Sequence, residues 1–305
     1  MDHYRWLRSD GSPNFSEHVY KDFTELELLA RRPAITVWPS STILNALETM
    51  TKYYRSLLVA RGPRLEGLLL STHLVNYLGG GELHEIVARR HNYNIFSALE
   101  KEVVSSIMER RPAVASTRDK FVDALATMAV TGYGILPVVD EDGNIYGVLT
   151  EHDVLRYLAK AVPRGLGIRA TEAMSSPVFT VEAKATLAEA MRRMIAMGFR
   201  RLPVLEDNEV VGMLTSMDVV RYFGSHRAFE ATQSGDIREA TSVKVEELMT
   251  RDLAYVRDDA DLGDAVAKML ERGVSSVLVV GDSMELKGII TERDVIYFLA
   301  SRPIA

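Results

Sequence analysis

The sequence predicts an α/β protein assembled from four copies of one β-α-β-β-α unit, and three observations carry that expectation. One phrase, a glycine, an apolar pair, Thr-x-x-Asp and then apolar residues at helical spacing, is written as GVLTEHDVLRY from Gly147, GMLTSMDVVRY from Gly212 and GIITERDVIYF from Gly288. The three copies keep step with an upstream methionine: Met108 precedes Asp153 by 45 residues, Met174 precedes Asp218 by 44, and Met249 precedes Asp294 by 45. Within each interval the apolar period changes in the same order, from strand to helix to hairpin to helix.

The third copy shows why each element is expected. PVFTV (Pro177–Val181) is β-branched and aromatic and reads as a short strand. Thr186 offers an N-cap, and Leu187, Ala190, Met191, Met194 and Ile195 then mark one helix face. RLPVLE (Arg201–Glu206) and VVGMLT (Val210–Thr215) make two strands joined by the turn formers Asp207-Asn208, and a second helix starts near Met217. The second copy follows as AVAS, FVDALATMAV, ILPVVD, the hairpin signal Asp142-Gly143 and IYGVLT. The fourth reads LAYV, LGDAVAKMLERG, VLVVG and LKGIIT, and a degenerate first copy reads ITVWP, ILNALETM, SLLVA and EGLLLSTHLVNYL. Units of roughly 50 residues are large for solenoid repeats, so domain duplication is the better reading.

The connectors differ in character. Gly79–Ser106 is long and carries a helical stretch, LHEIVARR, and its Gly79-Gly80-Gly81 lacks the G-K-[ST] ending of a phosphate-binding P-loop and reads as a linker. AKAVPRGLGIRA (Ala159–Ala170) is the best boundary between two halves, while Gly224–Val243 is polar and gives no clear element.

Bulk properties set the limits. A chain of 305 residues suggests about two domains. It is 47% hydrophobic and 26% charged, which is ordinary for a globular protein. A net charge of −6 argues against a dedicated nucleic-acid binder. The absence of cysteine excludes disulfides, thiolate metal sites and cysteine nucleophiles. The start, MDHYRWLRSDGSPNF, has no apolar leader core and no apolar run reaches membrane-spanning length, so a soluble cytoplasmic protein is expected.

The β-α-β-β-α unit ending in G-h-h-T-x-x-D, where h is apolar, resembles the CBS domain, and the match runs over nearly the whole chain after about Asp22. The resemblance implies four repeats arranged as two pseudo-two-fold CBS pairs, an organisation similar to the γ subunit of the AMP-activated protein kinase. It divides the chain into an N-terminal extension at 1–22, a first pair at 23–160 (copies at about 23–80 and 105–160) and a second at 161–305 (copies at about 170–225 and 245–302). Such pairs commonly bind adenosine-containing ligands, and their exposed faces often self-associate, so a homo-oligomer is expected.

Two roles are open to Thr-x-x-Asp on its residues alone. It can be a capping box worth about 1 kcal/mol, with no ligand involved. A carboxylate at a strand-to-helix corner can also accept hydrogen bonds from a ribose diol, as acidic residues of dinucleotide-binding folds do. The resemblance implies the second role for Thr150 and Asp153, Thr215 and Asp218, and Thr291 and Asp294. It also implies phosphate contacts from Arg200 and Arg201, where the other copies have Arg55-Ser56, Gly134-Ile135 and Ser275-Ser276, and a place for Thr180 and Thr36 along adenine and ribose. Arginine suits phosphate because its planar fork pairs bidentately. In the first copy Leu70 and His73 replace the polar pair, so that site is expected to be empty or altered. His84 and His91 are seven apart and no H-E-x-x-H occurs, so no metal site is expected. Arg156 and Arg221 are assigned to outer helix faces, and Met191, Met194 and Met197 to core filling.

No nucleophile elbow, kinase set or dehydrogenase fingerprint is present. The expectation is a regulatory module that binds AMP, ADP or ATP, with S-adenosylmethionine ranked behind them, requires no cofactor, has no catalytic residues and reports to an unidentified regulated protein. The rival expectation is an interaction scaffold with weak or no ligand binding, and an enzyme ranks third.

Overall fold

The computed structural model describes residues 6–20, 25–53, 55–160 and 166–301, the His18 side chain apart. Asp22, Pro163 and Gly165, which belong to the expected boundaries, lie outside the described residues. Two short helices, α1 (Glu17–Tyr20) and α2 (Leu26–Leu29), come first. Repeat 1 comprises β1 (Thr36–Val37), α3 (Ile43–Lys52), β2 (Ser56–Arg61), β3 (Arg64–Leu70) and α4 (Ser71–Val75), which runs into a wider π-type turn at Asn76–Gly80. Helices α5 (His84–His91) and α6 (Ile95–Glu100) fill the long connector. Repeat 2 comprises β4 (Ala115–Ser116), α7 (Phe121–Thr131), β5 (Ile135–Val139), β6 (Ile145–Thr150) and α8 (Glu151–Leu158). After α9 (Ala170–Ala173), repeat 3 comprises β7 (Val181–Glu182), α10 (Leu187–Met197), β8 (Arg201–Glu206), β9 (Glu209–Thr215) and α11 (Ser216–Gly224). Helices α12 (Arg227–Glu230) and α13 (Ile237–Ala240) lie in the polar connector, and repeat 4 comprises β10 (Tyr255–Arg257), α14 (Leu262–Arg272), β11 (Ser276–Val280), β12 (Leu286–Thr291) and α15 (Glu292–Ser301).

Each repeat is thus a three-stranded sheet whose first strand pairs in parallel with the second, and the second antiparallel with the third. Local chemistry explains the elements. Thr186 caps α10 by accepting from the Glu189 N–H, and Glu189 returns a bond to the Thr186 N–H. Asp207 and Asn208 take φ of 51° and 67°, the left-handed pair that a tight hairpin demands. The opening strand of repeat 3 is shorter than PVFTV suggests. Only Val181 and Glu182 find partners, in Val204 and Leu205, so Thr180 sits one residue ahead of the strand rather than in it.

The described chain forms two compact units, each with its own core. Unit 1 holds repeats 2 and 4 with the N-terminal segment (1–34, 113–178 and 253–305), and unit 2 holds repeats 1 and 3 (35–112 and 179–252). In unit 2, α11 packs on α3 and α4, and α10 packs on the Asn76–Gly80 turn; in unit 1, α15 packs on α8. The cores therefore group alternate repeats, whereas the sequence division at 160/161 groups consecutive ones. The cause is chemical: each repeat buries its helices against the helices of the repeat after next. Gly79-Gly80-Gly81 is part of this packing and not a bare linker, since a Cβ on Gly80 would stand 2.7 Å from Ile195 Cγ1 and 3.0 Å from the Met191 carbonyl oxygen. In unit 1, Trp6 and Phe15 of the N-terminal segment lie on Tyr297 and Phe298 of α15.

Four short extended segments, here called straps, explain the recurring glycine. Arg31 pairs with Val148, Glu109 with Leu68, Ser175 with Ile289 and Thr250 with Met213, always one residue after the glycine of the repeated phrase. A Cβ at Gly147 would stand 2.6 Å from the Arg31 carbonyl oxygen, and one at Gly67 2.6 Å from that of Glu109. At Gly212 and Gly288 it would meet Met249 Sδ and Met174 Sδ, each at 2.3 Å. The upstream methionines that mark the repeat are therefore the residues that cover its glycines, with Ala30 in that role over Gly147. Repeat 1 is crossed by the strap that opens repeat 2 and the reverse, and repeats 3 and 4 exchange straps likewise.

Gly147→Ala is expected to destabilise by about 1–3 kcal/mol through overpacking against strap backbone. Urea unfolding checks this, and a loss below about 0.5 kcal/mol, the scale of an ordinary surface change, would mean the strap moves aside freely.

Candidate functional site

In each repeat the third strand ends at a corner where the next helix begins, and in repeats 2, 3 and 4 the corner is built from the Thr-x-x-Asp phrase. Thr150, Thr215 and Thr291 stand at the N-cap of α8, α11 and α15. In repeat 2 the Thr150 N–H and hydroxyl donate to Asp153 Oδ2 at 3.0 and 2.5 Å, and the Asp153 N–H donates back to Thr150 Oγ1 at 3.3 Å. Repeat 3 repeats this with 2.7, 2.6 and 3.3 Å between Thr215 and Asp218. Repeat 4 does so with 2.8, 2.6 and 3.3 Å between Thr291 and Asp294. The capping role is therefore real in all three. It uses one carboxylate oxygen, Oδ2, and leaves Oδ1 outside the cap. A carboxylate offers about four lone-pair positions over its two oxygens, so capping and ligand binding divide naturally between them.

What meets Oδ1 differs from corner to corner. Arg31 Nη2 donates to Asp153 Oδ1 at 2.7 Å, Arg221 Nη1 to Asp218 Oδ1 at 3.0 Å and Ser175 Oγ to Asp294 Oδ1 at 2.9 Å. Arg221 thus reaches the corner instead of standing only on an outer face. Asp294 is 1% exposed and Asp218 8%. Burial pushes the Asp218 carboxyl above its ordinary value, with the Thr215 hydrogen bonds and Arg221 opposing.

Repeat 1 is different. The Leu70 N–H donates to His73 Nδ1 at 3.4 Å, so His73 supplies only the return half of the box, and leucine has no oxygen to complete it. Burial pushes the imidazole pKa down, with Glu109 opposing, which favours the neutral ring that can accept this bond. Neutral imidazole presents no outward acceptor comparable to Oδ1.

The residues ahead of each second strand lie beside the corner. Arg201 pairs in register with Thr215, and the Ser216 N–H donates to the Arg200 carbonyl oxygen at 2.8 Å, so both arginines flank Thr215 and Asp218. Ile135 and Thr150, Ser276 and Thr291, and Ser56 and Leu70 pair the same way. The Thr180 backbone carbonyl accepts from Arg193 of α10. Arg31 and Ser175 escape a reading by motif, although a signal existed: Ser175 directly follows the marker Met174, and Arg31 follows Ala30 at the same strap position.

His84 and His91, the pair weighed as metal ligands, have structural partners. His84 Nδ1 lies 2.8 Å from the Tyr77 carbonyl oxygen, and His91 bridges Ser97 Oγ and Glu102 Oε2 at 2.9 and 3.0 Å. Among the described residues no group of three or more His, Cys, Asp or Glu could hold a metal ion, and no helix is long and apolar enough to cross a membrane.

Residues 25–80, 104–160, 170–225 and 245–301 match the CBS domain family. The chain is 30% identical over 278 residues to the uncharacterized protein MJ1225 of Methanocaldococcus jannaschii, an overlap of 90% of this chain and 98% of that one. It is also 30% identical over 272 residues to an uncharacterized 33.4 kDa protein in the ribosomal RNA operon of Thermofilum pendens, covering 88% and 89% of the two chains. The crystal structure of MJ1225, described as an archaeal homologue of g-AMPK, is similar at a TM-score of 0.85 over 91% of this chain and 100% of that one.

Proposed function

Because the chain belongs to the CBS domain family, with four CBS repeats arranged as CBS pairs, we propose that it is a regulatory module that binds adenine nucleotides at its Thr-x-x-Asp corners without catalysis. The observation that carries the reading is the division of labour in the carboxylates. In repeats 2, 3 and 4 Oδ2 serves the helix and Oδ1 stands outside the cap, where a ribose hydroxyl can donate. Thr150, Asp153, Thr215, Asp218, Thr291 and Asp294 are the binding residues in this reading, and the corner of repeat 1 takes no ribose in this mode. The reciprocal straps support the consecutive pairing, 23–160 and 161–305. In this reading the protein acts in the cytoplasm, self-associates and reports ligand occupancy to a regulated protein.

Calorimetric titration with AMP, ADP, ATP and S-adenosylmethionine tests the reading. Heat from AMP, ADP or ATP and a thermal shift are expected; at 100 times the dissociation constant a single site adds about 2.7 kcal/mol of stability. Silence with all four ligands favours the scaffold reading, in which Arg31, Arg221 and Ser175 simply complete the corners.

The corner of repeat 3 is proposed as the best phosphate site, because Arg200 and Arg201 flank it; Thr180 belongs to its ribose and adenine side. Replacing both arginines by alanine is expected to weaken AMP at least tenfold, about 1.4 kcal/mol, and adenosine much less. Equal losses for the two ligands in a folded variant would remove the phosphate assignment.

A further inference from the structure

Sulfur is where this chain is open to oxidation. It has 13 methionines and no cysteine, so thioethers are its only oxidisable sulfur. Three of them hold equivalent places: Met108, Met174 and Met249 lie over Gly67, Gly288 and Gly212, the glycines of repeats 1, 4 and 3. The atom nearest to where a Cβ would stand on Gly212 is Met249 Sδ, followed by Met249 Cγ at 2.9 Å and the Thr250 carbonyl oxygen at 3.2 Å. At Gly288 it is Met174 Sδ, then Met174 Cγ at 2.8 Å. Each sulfur thus fills the space a side chain would have taken, between strap and strand. Repeat 2 differs, since the Arg31 carbonyl oxygen lies nearest to Gly147 and Ala30 stands in the methionine's place.

Hydrogen peroxide oxidises such a sulfur by two electrons. A sulfur lone pair attacks one oxygen and the O–O bond breaks. The other oxygen leaves as hydroxide, which takes the remaining hydroxyl proton and becomes water. The flexible apolar side chain becomes a polar sulfoxide. At Met249, 9% exposed, the strap N–H beside it is already paired: the Thr250 N–H donates to the Met213 carbonyl oxygen and the Met213 N–H to that of Thr250, both at 2.9 Å. At repeat 4 Ser175 and Ile289 are paired in both directions likewise, at 2.8 and 3.1 Å. A buried polar oxygen without a hydrogen bond is costly, so the sulfoxide turns outward and uncovers the glycine, or it lifts the strap. Either change reaches the corner along the third strand. Three residues on from Gly212 stands Thr215, which caps α11 and bonds Asp218.

Resting on the nucleotide-binding reading above, we propose that Met249 and Met174 are oxidation sites that couple peroxide to ligand affinity. Oxidation loosens the corners of repeats 3 and 4 and lowers their affinity for nucleotide. The repeat 2 corner, with Ala30 over its glycine, keeps its own. A dithiol-dependent sulfoxide reductase reverses the change: the thiol pair is oxidised to a disulfide and the sulfoxide oxygen leaves as water.

The test treats the full chain with hydrogen peroxide, and peptide mass mapping counts the oxygen added at each methionine. Methyl NMR signals of Val154, Val219 and Val295, each directly after its corner aspartate, then report AMP binding at repeats 2, 3 and 4. Oxygen is expected at Met249 and Met174 as well as at the exposed Met197 and Met284. AMP is expected to weaken at least about fivefold at repeats 3 and 4 and to stay within about twofold at repeat 2. Leucine is close to methionine in volume, so Met249→Leu and Met174→Leu are expected to fold and each to protect its own corner. Met249 and Met174 left unoxidised when Met197 and Met284 are fully converted would overturn the proposal. So would oxidation of both with affinity unchanged, an equal loss at repeat 2, or a loss that the leucine variants fail to prevent. In each of those cases AMP still binds the untreated chain and the nucleotide reading stands. If AMP moves none of the three methyls before oxidation, the nucleotide reading falls and the proposal falls with it.

Discussion

Glu151→Ala is expected to destabilise unit 1 by about 3–5 kcal/mol, the usual cost of leaving one member of a buried ion pair without its partner. Arg293 Nε donates to Glu151 Oε1 at 2.7 Å, and the two side chains are only 14% and 5% exposed. The guanidinium also donates to the Gly132 carbonyl, so it is held in place after the carboxylate is gone. Arginine cannot escape by losing its proton. The pair joins α8 to α15, where His152 and Glu292 form a second contact at 2.7 Å. In unit 2 the positions equivalent to Glu151 and Glu292 hold Ser71 and Ser216, with hydroxyls 2.8 Å apart. Like-shaped helices are thus joined by charge in one unit and by small hydroxyls in the other. A double substitution, Glu151→Met with Arg293→Met, separates two explanations. If the pair itself stabilises, the double variant falls as far as Glu151→Ala; if the stranded cation is the cost, it is near neutral. We expect the second outcome. Chemical denaturation decides, and a loss under about 1 kcal/mol for Glu151→Ala would show that Arg293 is better solvated than its burial implies.

The hairpins and long helices were legible because their signals are local. β8 and α10 each carry a period, a cap or a turn within a dozen residues. Partner choice was not legible in the same way. The apolar face of α11 says that the helix is buried but not that α3, far away in sequence, covers it. Contiguity favours consecutive halves, while the compact cores by themselves group alternate repeats. Gly80 shows the same limit, since a glycine run reads as a linker until the helix packed against it is known. At the corners, the Thr-Asp pairs were readable from the motif, including their capping geometry. The groups that meet Oδ1 were harder, because Arg31 and Ser175 arrive on straps more than a hundred residues away in sequence. A strap is short and extended, and its pairing partner lies in another repeat, so no periodicity marks it.

Asp218→Ala is expected to weaken AMP and adenosine alike by at least about 100-fold, about 2.8 kcal/mol, since both ligands keep the ribose diol and lose its acceptor. Asp218→Asn keeps an oxygen for the Thr215 cap but loses the charge, so it separates helix capping from ribose binding. If the asparagine variant is as stable as the alanine one yet binds like the wild type, Asp218 does not hold the ribose. The pH dependence adds a second check. Burial raises the Asp218 carboxyl above the ordinary value of 3.8, against the pull of Thr215 and Arg221. The folded state therefore holds this proton more tightly than the unfolded state. Its contribution to stability is fully present below pH 3.8 and is lost as pH rises through the raised folded value. Ligand affinity moves the opposite way, because ribose hydroxyls donate to the ionised form. Binding at this corner should strengthen as pH rises through that same raised value, while the asparagine variant shows neither slope. Affinity that stays flat across this window in the wild-type chain would mean that the carboxylate of Asp218 is not what the ribose meets.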